Sequence, residues 1–134
     1  RYANNIFVMG RSLGSVSAIE IAYRHQEQMK GLIIESGCAS IIKLFSHLGF
    51  PAEYLDSEDV DFPNLAKIRA ITVPLLVLHG EYDSIMPRSE GEALFHNAAT
   101  KDKHLVIIPK ANHNDIMWVG RERYLKAIKE FVFT

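Results

Sequence analysis

Ile6-Phe7-Val8-Met9-Gly10-Arg11-Ser12-Leu13-Gly14 is the stretch that decides the fold. Four apolar residues stop at a glycine, and a G-x-S-x-G pentapeptide follows. From Leu13 to about Glu27 the chain then carries Val16, Ile19, Ala22 and Tyr23 at helical spacing, with Glu20 and Arg24 on another face. The order predicted is strand, sharp turn, helix, which is the setting such a pentapeptide requires. A serine there sits on strained backbone and presents its hydroxyl above the C-terminal edge of a sheet. The flanking glycines let strand and helix approach each other. The N–H of Leu13, at the helix N-terminus, points to the same place and can stabilise an oxyanion. By itself the pentapeptide reads equally well as Ser12 capping a helix after a tight turn.

Three more apolar runs follow. Leu32-Ile33-Ile34 ends before Gly37, Val73-Pro74-Leu75-Leu76-Val77-Leu78 ends at Gly80, and Leu105-Val106-Ile107-Ile108 ends at Pro109. Short runs of this kind, rich in β-branched residues and closed by glycine or proline, read as strands buried on both faces. Pro74 stands at the start of its run, where proline is tolerated. Helical patterns fill the intervals from Arg88 to about Ala98 and from Arg121 to Phe131. The latter puts Tyr124, Leu125, Ile128 and Phe131 on one stripe. Ser40 to Ala70 is less regular, with a candidate helix over Ile41–Phe50 and an acidic, loop-like stretch over Pro51–Pro63. The alternation predicts an α/β fold, a parallel sheet of about four strands with flanking helices.

The whole chain of 134 residues and 15.2 kDa has room for a single domain. Fifteen basic against sixteen acidic residues give a net charge of -1, which argues against nucleic acid as a partner. No apolar run has the length of a membrane span. The chain opens Arg1-Tyr2-Ala3-Asn4-Asn5, unlike a signal peptide. Cys38, the one cysteine, permits no internal disulfide, and the expected compartment is the reducing cytoplasm.

Two later loops bear on Ser12. After the third apolar run comes His79-Gly80-Glu81-Tyr82-Asp83-Ser84-Ile85-Met86-Pro87; after the fourth comes Pro109-Lys110-Ala111-Asn112-His113-Asn114-Asp115. Both leave the C-terminal ends of parallel strands, where α/β proteins build their sites. Serine, aspartate and histidine thus occur in that order along one sheet edge. A hydroxyl needs a base to become a nucleophile, and an imidazole neutral near pH 7 is one. A carboxylate holds that imidazole in the right tautomer and stabilises its charged form.

On these residues the chain resembles the C-terminal part of an α/β-hydrolase fold enzyme. Gly10-Arg11-Ser12-Leu13-Gly14 matches the nucleophile elbow, His79-Gly80-Glu81-Tyr82-Asp83 with Met86-Pro87 the acid loop, and Asn112-His113 the histidine loop. The resemblance implies Ser12 as nucleophile, His113 as general base and acid, Asp83 as the orienting acid and the Leu13 N–H as an oxyanion donor. It implies a hydrolase of carboxylic esters or thioesters acting on a small or acyl substrate, closest in type to the small-cap esterases and thioesterases. No cofactor is implied. The short interval between the second and third strands leaves no room for a large lid. Glu35, closing the second strand, and Glu81 are the alternative acids, and Asp115 reads as a cap of the last helical region. His79 ends a strand, where packing is the plainer role. His25, His47, His96 and His104 read as surface or structural. No histidine pair has metal-ligand spacing and no G-x-x-x-x-G-K-[ST] phosphate loop occurs. Phe45, Phe50, Tyr54, Phe62 and Trp118 read either as core or as the lining of an acyl pocket.

The resembled fold has strands before its elbow, and a loop among them gives the second oxyanion N–H. Here the elbow begins at residue 10, so the domain is expected to be incomplete over 1–134. The first strand is then expected to have a free edge that pairs with another chain or with the missing N-terminal half. Without turnover, the same fold would serve as a binding module.

Overall fold

The computed structural model describes residues 5–51, 53 and 63–134. Four strands form one parallel sheet in the order β1-β2-β3-β4: β1 is Phe7–Arg11, β2 Gly31–Glu35, β3 Leu75–Gly80 and β4 Lys103–Ile108. Among the described residues six α-helices accompany them: α1 Gly14–His25, α2 Ile41–His47, α3 Asn64–Ile68, α4 Arg88–Asn97, α5 Ile116–Val119 and α6 Arg121–Phe133. A 3₁₀ turn, Gln26–Gln28, completes the exit from α1.

The layering follows from strand periodicity. Leu32 and Ile34 of β2 and Leu75 and Val77 of β3 point to one face, where they pack with Ala18, Ile19 and Ala22 of α1, Ile68 of α3 and Leu94 of α4. The intervening Ile33, Leu76 and Leu78 point to the other, against Ile116 of α5 and Tyr124 of α6. Consecutive parallel strands joined by right-handed crossovers place their connecting helices on one side of the sheet. The helix after the last strand is free to cover the other. Gly31 makes room there, since a Cβ on it would lie 2.9 Å from Phe131 and 3.0 Å from Phe7, whose rings meet edge to face.

Several boundaries differ from the sequence expectation. β1 begins at Phe7 and continues through Gly10 and Arg11, because both still pair in register with Ile34 and Glu35. β3 begins at Leu75 and runs on to His79 and Gly80, which pair with Ile107 and Ile108. Only β2 and β3 are buried throughout. β1 and β4 lie at the sheet edges, so Met9 is 44% exposed and much of β4 is half-buried. α2 stops at His47, and α3, too short to show a period, was not legible. Tyr54, Phe62 and most of the acidic stretch lie outside the described residues.

Gly10 fixes how closely β1 and α1 approach. A Cβ there would lie 2.5 Å from the Gly14 carbonyl oxygen, 2.6 Å from the Ala18 Cβ and 2.8 Å from the Ser15 Cα. Two of these are backbone atoms that cannot rotate away. Gly14, by contrast, faces open space among the described residues, so the close approach rests on Gly10 alone. Gly10→Ala is expected to lower stability by about 1–3 kcal/mol, the usual cost of overpacking, with Gly14→Ala far milder. Equal chemical-denaturation midpoints for the two variants would contradict this.

Candidate active site

β1 ends at Arg11, and the chain turns so sharply that Ser12 adopts φ 55, the left-handed region that side chains ordinarily avoid. The turn is held from both sides. The Ser12 N–H donates to the Glu35 carbonyl at 2.9 Å, while its own carbonyl accepts from the Ser15 N–H at 3.0 Å and the Ser15 hydroxyl at 2.6 Å. Ser15, fully buried, also accepts from the Cys38 N–H at 3.0 Å, which ties α1 to the loop after β2. Such over-determination maintains a strained residue. Ser12 therefore does not cap α1. Leu13 precedes the first helical residue, and its N–H donates to no acceptor among the described residues.

Asp83 and His113 arrive on the loops after β3 and β4. His113 Nε2 lies 2.9 Å from Ser12 Oγ, and His113 Nδ1 lies 2.8 Å from Asp83 Oδ2. Asp83 is buried, and its other oxygen accepts from the N–H groups of Ile85 at 3.0 Å and Met86 at 2.7 Å. That leaves Oδ2 aimed at the imidazole. The structure thus joins Ser12, His113 and Asp83 into one hydrogen-bonded chain across three loops.

The two alternative acids are engaged elsewhere. Glu81 Oε2 accepts from the Lys110 N–H at 2.9 Å, where Lys110 takes φ 62 at the exit of β4. Glu35 pairs with Arg11, Nε to Oε2 at 2.8 Å. Asp115 makes no side-chain cap on α5; instead its Oδ1 accepts from the Asn112 N–H at 2.6 Å, within the histidine loop. That corrects its expected role, and the reason is that a four-residue helix offers its first N–H groups little advantage over the adjacent turn.

Asn112, beside His113 in the sequence motif, laces the two loops. Its Oδ1 accepts from the Ser84 N–H at 3.0 Å, the Ser84 hydroxyl at 3.1 Å and the His113 N–H at 2.7 Å. The Tyr82 N–H reaches the Ala111 carbonyl at 2.9 Å. Gly80 permits this closeness, since a Cβ on it would stand 2.7 Å from that same carbonyl oxygen.

His79 is fully buried beneath the site. Its Nε2 donates to the Met86 carbonyl at 2.8 Å and lies 3.5 Å from Asp83 Oδ2. Burial pushes its pKa below the ordinary 6.5, against the opposing pull of the Met86 carbonyl and Asp83. The unfolded chain thus takes up this proton near 6.5 and the folded chain only at lower pH. The resulting stability is complete above 6.5 and is lost as pH falls through the folded value. His79→Gln is expected to flatten the fall of stability with acidification below pH 6.5. Unfolding curves with the same pH slope as the wild type would contradict it. Cys38 offers no rival nucleophile: burial, with the nearby Glu90 carboxylate, pushes its thiol up to about 12, so it stays protonated.

The aromatic candidates divide. Phe45 packs beside Cys38, Ile41, Leu44 and Met86, whereas Phe50 and Trp118 are exposed and belong to no core cluster. A groove of about 850 Å³ lies between α6 and the N-terminal ends of the strands, lined by Leu76, Val106, Ala127 and Phe131. None of its residues belongs to the Ser12–His113–Asp83 chain. Among the described residues no group of histidine, cysteine and acidic side chains is placed to hold a metal ion.

A model of the prolyl oligopeptidase family matches residues 2–133. The chain belongs to the prolyl oligopeptidase family. Its fold is that of the α/β-hydrolases, as the sequence motifs led one to expect. Among curated relatives, human "Alpha/beta hydrolase domain-containing protein 17B" is 31% identical over 128 residues, covering 96% of this chain and 41% of that protein. Protein 17C of the same name in mouse is 30% identical over 134 residues, covering 96% and 37%. The chain therefore spans about two-fifths of the length of these relatives. In structure it is similar to the Pyrococcus horikoshii acylaminoacyl peptidase, with a TM-score of 0.78 at 18% identity, covering 96% of this chain and 23% of that one. It is also similar to the Paleococcus ferrophilus monoacylglycerol lipase, with a TM-score of 0.72 at 17% identity, covering 97% and 69%. In this prolyl oligopeptidase family member, then, Ser12, Asp83 and His113 stand at the C-terminal edge of a hydrolase sheet.

Proposed function

We propose that this chain carries the nucleophile, base and acid of a serine hydrolase that cleaves a carboxylic ester or thioester. The observation that carries the proposal is the unbroken chain from Ser12 Oγ through His113 to Asp83 Oδ2. Ser12 Oγ passes its proton to His113 Nε2 as it attacks the substrate carbonyl. Asp83, held by two backbone N–H groups, keeps the Nδ1 proton in place and balances the imidazolium that forms. The developing oxyanion takes the Leu13 N–H, one of the two donors such a site requires. The imidazolium protonates the departing alcohol or thiol, leaving the acyl group on Ser12. His113 then takes a proton from water, whose oxygen attacks the acyl carbon. Collapse returns the proton to Ser12 Oγ and releases the carboxylic acid.

The amide bond is the second reading, favoured by the family that the chain belongs to and by its likeness to an acylaminoacyl peptidase. Matched ester, thioester and amide substrates of one acyl group, given to the intact protein, separate the readings. The proposal expects a burst of the alcohol or thiol product equal to the enzyme concentration and slower or no amide cleavage. Faster turnover of the amide would favour the second reading. Turnover of none would leave a binding module.

We further infer that the outer edge of β1 is paired by another strand. β1 stands at the sheet edge among the described residues, with its own Met9 and the preceding Ile6 about half exposed. Such an edge recruits backbone partners. Light scattering on the 134-residue chain should give a mass above 15.2 kDa; a monodisperse monomer would contradict it.

A further inference from the structure

We propose that Arg11, clamped on Glu35, is the positioning residue that holds the His113 loop over Ser12. The proposal rests on the serine-hydrolase reading and adds to it a residue outside the nucleophile, base and acid. Arg11 and Glu35 end adjacent parallel strands as register partners, so their side chains leave the sheet on the same face. The Arg11 guanidinium makes three contacts on three groups. Nε meets Glu35 Oε2 at 2.8 Å, and Nη2 donates to the His113 carbonyl at 2.8 Å and to Asn114 Oδ1 at 3.0 Å. Glu35 is buried at 3% exposure, and its side chain meets Arg11 across the sheet edge. The same Glu35 grips the nucleophile, because its backbone carbonyl accepts the Ser12 N–H at 2.9 Å.

One residue pair therefore sets the distance between nucleophile and base. Through its backbone Glu35 locates Ser12; through Arg11 it locates the main chain of His113. Asp83 and Ser84 restrain the histidine loop from the β3 side, and Arg11 restrains it from the β1 side. The planar guanidinium suits a task that needs several donors at fixed angles, which a lysine ammonium on a flexible stem does not provide. A carboxylate at Glu35 is explained by this pairing without any part in the proton relay. Misplacing a reacting group by about 1 Å costs on the order of 100-fold in rate.

The test compares Arg11→Gln, Arg11→Lys and the pair Arg11→Gln/Glu35→Gln in the intact protein, with Ser12→Ala as control. Arg11→Gln leaves Glu35 buried and unpaired, which endangers folding. The double variant removes both charges and keeps the experiment informative. At thermal midpoints within a few degrees of the wild type, kcat should fall about 10- to 100-fold with KM nearly unchanged. Labelling of Ser12 by a fluorophosphonate should slow in parallel. Arg11→Lys should recover little, and the double variant should be no slower than Arg11→Gln, since the two residues act as one unit. Wild-type kcat in the double variant, or a raised KM with kcat intact, would overturn the proposal. Retained turnover in Ser12→Ala would instead overturn the serine-hydrolase reading, so the two failures are told apart.

Discussion

Ser12→Ala is expected to lower turnover about a million-fold, to a residue of activity supplied by binding and oxyanion contacts alone. The hydroxyl that His113 Nε2 addresses at 2.9 Å is then gone, and no other nucleophile takes its place. Cys38 is buried with a thiol that stays protonated, and Ser15 Oγ is committed to the Ser12 carbonyl and the Cys38 N–H. His113→Ala should cost about as much, because an unassisted hydroxyl is a poor nucleophile at neutral pH. The double variant should be no worse than either single one. Additive losses, measured as kcat/KM on one ester, would mean that the two side chains act independently.

The second large effect is expected from Asp83→Asn, about 10⁴-fold in kcat. An amide in place of the carboxylate keeps the size and can still accept from the Ile85 and Met86 N–H groups. Its NH₂ would then face His113 Nδ1, which at 2.8 Å forces the imidazole into the wrong tautomer. Glu81→Gln should change kcat far less, since Glu81 braces the Lys110 N–H and does not reach His113. A larger loss from Glu81→Gln than from Asp83→Asn would reverse the assignment of the acid.

Much of this was legible in the sequence because the decisive signals are local. A run of apolar residues that ends at glycine marks a strand wherever it stands, and Gly10-Arg11-Ser12-Leu13-Gly14 marks the turn after it. The parallel order of the strands follows from the helices between them. What sequence left open depends on contacts between distant loops. Glu35, Glu81 and Asp83 all leave strand ends at the same edge, and composition cannot tell which of the three carboxylates turns toward His113. Backbone N–H groups at Ile85 and Met86 decide it by fixing one Asp83 oxygen. Arg11 stands at a variable position of the G-x-S-x-G pattern, which gives it no signal of its own. Its partners lie 24, 102 and 103 residues away, beyond the reach of any local pattern. Strand ends were misplaced for the same reason: Arg11, His79 and Gly80 are paired by register with neighbours rather than by their own hydropathy.

The most direct test of the central claim is covalent. The intact protein is treated with a fluorophosphonate, digested, and the modified residue located by mass spectrometry. The account predicts one adduct, on Ser12, that forms readily in the wild type and is lost in both Ser12→Ala and His113→Ala. An adduct on another residue, or none on a folded protein, would contradict it.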